Sequence, residues 1–324
     1  FALGRRGDGH VAGSFRRSSS LPFFGMGGIG KKMLALHFAK TFLCKSAGKK
    51  PCGICESCRL MDIENNSFAH PDFYLLTAEE AGKDIKIEQV KEMAKQAAFA
   101  PVLSEHKVCI IDDAGQMTAE AANSLLKLLE EPPPGWLFIL ITQQAERLLP
   151  TVLSRVVRLR FDAPDSSAVQ QILKAKGITQ NTQVLAALAG GSPGRALSYN
   201  QADIFAIRRE ALDLLKKLPL QNPFGYIAAL GWGEKYDRAA ALLLTEQFIY
   251  LLRDVLLVQS GAGGQVYNTD IMTGLDGIAA DWPLHTARQG VNVAQEAWQN
   301  INKNVSAKNV LEALVLKLDL LRKE

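Results

Sequence analysis

Apolar and polar positions alternate between two spacings in the first half of the chain and settle into one spacing in the second. Short apolar runs at residues 23–24, 73–77, 108–112, 136–142 and 156–161 are separated by stretches at helical spacing at 31–43, 87–98 and 119–131. Strands divided by helices predict a parallel sheet with crossover helices, an α/β domain. The helix after Thr118 starts on a capping hydroxyl and gathers Leu125, Leu126, Leu128 and Leu129 mostly to one side. Pro132, Pro133 and Pro134 then stop it. Beyond residues 162–166 the strand pattern ceases. Short helical stretches at 168–175 and 182–189 lead to a break at Gly190-Gly191-Ser192-Pro193-Gly194, and from about Asp203 onward the chain reads as longer amphipathic helices. The glycine-rich patch 261–264 predicts a loop between two of them.

Composition narrows the class. The 324 residues are 48% hydrophobic and 22% charged, enough to bury real cores, which excludes a disordered tail or a small stapled scaffold. A net charge of +4 is too slight to argue for nucleic acid by itself. The most apolar stretches, 136–142 and 242–259, are too short or are interrupted by Glu246, Arg253 and Asp254, so the chain reads as soluble and not as membrane-spanning. The opening run through Ser20 is rich in Gly, Arg and Ser, begins on Phe1, lacks the apolar core of a secretory signal and is given no role.

Five cysteines without a signal peptide point to a reducing compartment. Four of them, Cys44, Cys52, Cys55 and Cys58, form a C-x7-C-x2-C-x2-C array. Four thiolates converging on one tetrahedral ion suit structural Zn²⁺, with no position open for a catalytic water. Buried thiols, a redox pair or an iron–sulfur cluster are the alternatives. Cys109, inside an apolar run, reads as a core thiol.

Two further motifs carry phosphate chemistry. Gly25-Met26-Gly27-Gly28-Ile29-Gly30-Lys31-Lys32 follows an apolar run and opens a helix, as a phosphate-binding loop does. Glycines let backbone N–H groups curl round phosphate oxygens, and Lys31 can reach the β and γ phosphates. Lys32 stands where a Ser or Thr hydroxyl would ligate Mg²⁺. Pro22 also removes a donor from the strand before the loop. The segment ending in Asp112-Asp113 fits a Walker B strand, in which Asp112 reaches the metal and the next residue orients the attacking water. That next residue is usually Glu; Asp113 is one methylene shorter, which should impair hydrolysis. These substitutions leave ATP and Mg²⁺ binding open.

Taken in order, the cysteine array after the phosphate-loop helix, HPDFYLL, VCIIDDAGQMTAEAANSLLKLLEEPPP, LFILIT, LLPTVLSRVVRLRF and AGGSPGRAL resemble the clamp-loader subunits of the bacterial DNA polymerase III holoenzyme. Lys32, Asp113 and Ser192-Pro193-Gly194 resemble the delta-prime branch more than the ATP-hydrolysing gamma and tau subunits. The resemblance implies a RecA-like AAA+ module over 21–162 with a zinc insertion at about 44–70. A small helical lid over 163–202 and an all-α collar over 203–324 would follow. It further implies a cytoplasmic stator in a five-subunit ring with gamma or tau and delta, acting on the sliding clamp and primed DNA. Arg155, in Leu153-Ser154-Arg155, matches an arginine finger offered to the neighbour's ATP, with Val156 where the family usually has Cys. Thr142 takes the sensor 1 position. Gly194 falls where gamma-like relatives carry a sensing arginine, with Arg195 one step later, so the resemblance does not assign Arg195 a sensing role. Two other readings stand: an active gamma-type ATPase, and a zinc-dependent DNA-binding adaptor using Lys45, Lys49, Lys50 and Arg59.

Overall fold

The computed structural model describes residues 20–80, 83–154 and 159–323. Chain contacts divide it once, between Pro164 and Asp165. The first unit runs β1 (Ser20–Phe24), α1 (Lys31–Leu43), α2 (Glu56–Leu60), β2 (Met61–Asp62), β3 (Ser67–Phe68), β4 (Phe73–Leu76), α3 (Ile87–Ala97), β5 (Lys107–Ile111), α4 (Ala119–Glu130), β6 (Trp136–Thr142), α5 (Pro150–Leu153) and β7 (Leu159–Arg160).

β4, β5, β6, β1 and β7 lie side by side in that order, all parallel, as the alternation of strands and helices predicts. Each strand sends alternate side chains to opposite faces. Val108 and Ile110 of β5 join Leu137, Ile139 and Ile141 of β6 and Leu21 and Phe23 of β1 in one apolar layer, sealed by Ala35, Leu36, Ala39 and Leu43 of α1. Cys109, Ile111, Phe138 and Leu140 face the other way, onto Val90, Met93 and Ala97 of α3 and Ala121, Leu125 and Leu129 of α4. The sheet is thus covered on both faces. Cys109 is wholly enclosed, and burial pushes its thiol well above the ordinary value, as befits a core residue.

β1 starts three residues before the apolar pair 23–24. It pairs with β6 along its full length, from Ser20↔Phe138 to Phe24↔Thr142, and Pro22 takes its place opposite Leu140. Leu21 and Phe23 are fully buried, and Phe23 packs on Phe38 and Phe161. That burial outweighs the donor lost at Pro22. α4 begins as its sequence predicts: Thr118 Oγ1 accepts the Ala121 amide at 3.2 Å. The hairpin of β2 and β3 lies within the stretch that follows α1.

The second unit is entirely helical among the described residues: α6 (Ser166–Ala175), α7 (Thr182–Leu188), α8 (Pro193–Gln201), α9 (Ile204–Lys217), α10 (Pro223–Leu230), α11 (Trp232–Lys235), α12 (Arg238–Gln259), α13 (Met272–Asp281), α14 (Leu284–Asn302) and α15 (Ala307–Lys323). α6, α7 and α8 pack on one another, and α12 and α14 form the main helix pair of the rest. The two approach closely at Gly290, where even a methyl group would come within 3.1 Å of Leu252. Leu244, Phe248, Leu251, Leu252 and Val255 supply the buried stripe of α12. The patch at 261–264 lies in the connection between α12 and α13, and from α12 the fully buried Asp254 accepts the amides of Tyr267 and Asn268 in that connection. No described helix is long and apolar enough to cross a membrane.

Candidate functional site

The four clustered cysteines converge. Cys44 caps the C-terminus of α1, Cys55 caps the N-terminus of α2, Cys58 sits within α2, and Cys52 lies on the loop between. All four sulfurs lie within 4.8 Å of one another, with Cys44 and Cys55 at 3.9 Å and Cys52 and Cys58 at 4.0 Å. Zn–S bonds of about 2.3 Å in a tetrahedron require S–S edges of roughly 3.8 Å, so the donor set fits such an ion. None of the four is in a disulfide. The backbone N–H groups of Cys52 and Cys55 point at the sulfurs of Cys44 and Cys52, both at 3.4 Å, which favours thiolate. Amides of Cys55 and Ile54 hold the Cys52 thiol down to about 6, whereas burial pushes Cys58 up to about 12. A metal cation is the partner that would bring the whole set to thiolate. Among the described residues this is the one cluster of metal-ligating side chains of this kind.

A buried polar brace stands beside this centre. The Asp72 carboxylate accepts the amides of Val102, Leu103 and Ser104 at 2.7, 2.8 and 2.8 Å. The Asp72 amide donates to His70 Nδ1 at 3.0 Å, which leaves the imidazole proton on Nε2, 3.1 Å from Ser104 Oγ. Ser104 Oγ donates in turn to the Leu43 carbonyl at 2.9 Å and lies 3.2 Å from Ser57 Oγ. Burial lowers the His70 pKa, in keeping with a neutral ring. The His–Ser pair is therefore oriented the wrong way for a base and nucleophile. It ties the residues flanking Cys44 and Cys58 to the loop before β5. The sequence shows His70-Pro71-Asp72, but nothing in it points to partners thirty residues away.

The phosphate loop lies at the carboxyl ends of the strands, where ligands bind in open parallel sheets. A cleft of about 670 Å³ is lined by Gly27, Gly28, Gly30, Lys31 and Lys32 after β1, Thr77 and Ala78 after β4, Asp112, Asp113 and Gln116 after β5, and Thr142 and Gln143 at the end of β6. Gly25, Gly28 and Gly30 have positive φ. Gly25 is the most constrained: at φ +148° its Cβ would lie 2.3 Å from the Phe161 carbonyl oxygen. Lys31 is buried and donates to the carbonyls of Gly25 and Met26 at 2.6 and 2.7 Å. Burial lowers its pKa, against the pull of Asp112 and Asp113.

Both degraded positions are already engaged. Lys32 Nζ lies 3.0 Å from Asp112 Oδ2, so an ammonium stands on the carboxylate that would hold Mg²⁺, and these residues do not fit a divalent ion. Asp113, in the left-handed region at φ 55°, accepts the Gln116 side-chain amide at 2.7 Å. Thr142 is buried and donates to the Gln144 carbonyl at 3.0 Å, closing the turn after β6. The partnership of Gln116 was not legible in the sequence.

Arg155 lies outside the described residues, just after Ser154 at the end of α5. Arg195, in the second unit, is taken up locally. Its guanidinium binds Glu246 and, at 2.8 Å, the Tyr250 hydroxyl, and it lies over the rings of Tyr199 and Tyr250. Tyr199 OH donates to Glu246 Oε2 at 2.5 Å, and burial pushes that phenol's pKa up. No local pattern points to this cage, since Glu246 interrupts an apolar run fifty residues downstream. Lys45, Lys49, Lys50 and Arg59 are exposed around the cysteine centre.

Comparison with known proteins agrees with this arrangement. The family model described as "DNA polymerase III, delta subunit" matches residues 13–165. The DNA polymerase III subunit delta' of Bacillus subtilis is 29% identical over 306 residues, 94% of this chain and 91% of that protein. The subunit delta' of Pseudomonas aeruginosa is 32% identical over 243 residues, 74% of this chain and 71% of that one. A DNA polymerase III gamma subunit-related protein of Thermotoga maritima, 16% identical, superposes with a TM-score of 0.50 over 97% of this chain and 99% of its own, a likeness of fold alone. With its parallel RecA-like sheet, its helical second half and relatives of this identity over most of its length, the chain belongs to the delta-prime subunit family of DNA polymerase III.

Proposed function

We propose that the chain serves as the stator of a bacterial clamp loader, contributing shape and a residue in trans and not hydrolysis of its own. The observation that carries this reading is the Lys32–Asp112 ion pair at 3.0 Å inside a phosphate-loop cleft. A divalent ion polarises the transferred phosphoryl group in hydrolysing relatives of this fold, and here its carboxylate is engaged. Asp113, held by Gln116, is short of the reach expected of a water-orienting residue. Together they disfavour the gamma-type reading.

Residues 163–202 act as the lid and 203–324 as the collar that joins gamma or tau and delta in a five-membered ring, in the bacterial cytoplasm. Through that ring the chain takes part in opening the sliding clamp and placing it on primed DNA. Arg155 is offered to the ATP of the neighbouring subunit, where a guanidinium neutralises charge developing on the γ-phosphoryl. Arg195 is fixed by Glu246 and serves the packing of the helical unit. The four cysteines hold a structural Zn²⁺, which ties the loop at 44–58 to α1.

The test is assembly. Mixed with gamma-type and delta subunits, the chain should enter one complex as a single copy, read by size-exclusion chromatography with light scattering. Alone it should hydrolyse no ATP above background. Failure to join the complex, or hydrolysis by the isolated chain that Lys31→Ala abolishes, would refute the stator role.

A further inference from the structure

We propose that Ser104 is the positioning residue of the cysteine centre: through the Leu43 carbonyl and the Ser57 hydroxyl it seats Cys44 and Cys58 before any metal arrives. The proposal rests on the reading of the four cysteines as a metal centre and goes beyond it, assigning part of the affinity for the ion to a residue outside the ligand set. The four sulfurs do not stand on equal footing. Cys44 and Cys58 are buried, whereas Cys52 and Cys55 are half-buried on a stretch where Lys49, Lys50, Pro51, Gly53 and Ile54 are all exposed. The fold itself therefore holds two of the ligands, and the contacts of Ser104 supply the means. Leu43 ends α1, and its carbonyl is one of those that a helix leaves without an intrahelical amide. Ser104 Oγ donates to it at 2.9 Å, which fixes where the chain leaves the helix for Cys44. Ser57, buried in the first turn of α2 next to Cys58, brings its hydroxyl to 3.2 Å from the same oxygen.

A serine hydroxyl has one proton and two lone pairs. With its proton on the Leu43 carbonyl, Ser104 accepts from His70 Nε2 at 3.1 Å and from the Ser57 hydroxyl, so its whole hydrogen-bonding capacity is engaged. Ser104 is itself held in place from the sheet. Asp72, fully buried at the entry to β4, gathers the amides of Val102, Leu103 and Ser104, and its own amide orients His70. A continuous chain of hydrogen bonds thus runs from the edge strand of the sheet to the residues beside two of the four ligands. Ligands held from behind in this way are ordered before the ion binds, and such outer partners are worth roughly 10–100-fold in metal affinity. A hydroxyl that merely supported the fold would be indifferent to the ion.

The experiment measures metal binding by the full chain and by Ser104→Ala and Ser104→Thr. Zn²⁺ is titrated against a competing chelator, and Co²⁺ uptake is followed by its visible absorption. Ser104→Ala should keep about one ion per chain but bind it about tenfold or more weakly than wild type, and Ser104→Thr, which keeps the hydroxyl, should restore most of the affinity. Urea unfolding with metal and after its removal supplies a second readout. Ser104→Ala should lower the midpoint more in the metal-loaded protein, because coupling between two sites acts in both directions. Ser57→Ala, which removes one link and leaves the Leu43 carbonyl capped, should weaken binding in the same direction by a smaller factor, and it carries the test if Ser104→Ala does not fold. Equal affinity in wild type and both alanine variants, or an equal loss of stability with and without metal, overturns the proposal and leaves the metal centre standing. A wild type that takes up neither Zn²⁺ nor Co²⁺ overturns both readings.

Discussion

Gly25 shows how one residue governs the entry to the phosphate loop. A β-carbon there would sit 2.3 Å from the Phe161 carbonyl in a backbone region unsuited to side chains, so Gly25→Ala should destabilise the protein by about 2 kcal/mol or more in urea unfolding. Asp72 makes a pH prediction. Burial alone would raise its pKa, but the amides of Ser104, Val102 and Leu103 outweigh burial and hold it below the ordinary carboxylate value. A depressed folded value means that the stabilisation is present at neutral pH and is lost as pH falls below about 4, through the folded value. Unfolding free energy measured between neutral pH and the acid limit should show that decline, and Asp72→Asn, lower by about 1–3 kcal/mol at pH 7, should show a shallower one. Equal slopes would remove Asp72 as its source. In the helical unit Glu246→Gln should cost about 1–2 kcal/mol, at the low end for a breached ion pair because the Arg195 side chain keeps 39% of its surface exposed. What the sequence revealed at this scale were residues whose chemistry is local, such as the glycines, the paired lysines and the cysteines. Gln116 on Asp113, Ser104 on His70 and Glu246 on Arg195 depend on where the fold brings distant or chemically ordinary side chains, and local pattern carries no record of that.

Among elements, the short α2 and the loop before it depend most on the cysteine centre. α2 spans five residues, too few to be stable in isolation, and only Ser57 and Cys58 of it are buried. A tetrahedral ion would supply what the apolar core does not, and small zinc motifs show apparent metal affinities of about 10–16 kcal/mol. Protein isolated without chelator should contain about one zinc per chain, and Cys52→Ser with Cys55→Ser should abolish it and lower the thermal midpoint. A metal content near zero in the wild type would remove zinc from the account. The strands and helices of the first unit were legible because their periods are distinct, and α1, α4 and β6 begin where their sequences put them. β1 is longer than the apolar pair 23–24 predicts: its first half holds Ser20 and Pro22, poor strand residues, and burial against β6 makes it a strand.

At the scale of the whole molecule, two features belong together: a phosphate cleft in which a lysine lies on the carboxylate of the metal position, and membership of a family named as a subunit of DNA polymerase III. At that cleft Lys31, Lys32, Asp113 and Thr142 each meet a polar partner from their own chain, which suits the proposed stator role. The modest net charge of +4 suits the proposed role, in which contact with DNA would be shared among the members of a ring. The most direct test of this account is the ATPase rate of the reconstituted clamp loader carrying Arg155→Ala in this subunit alone, with assembly confirmed by size-exclusion chromatography. A finger offered in trans is worth roughly 10³–10⁵ in rate, so hydrolysis at the neighbouring site should be lost while the complex stays intact. An intact complex that hydrolyses ATP at the wild-type rate at every site would contradict the account.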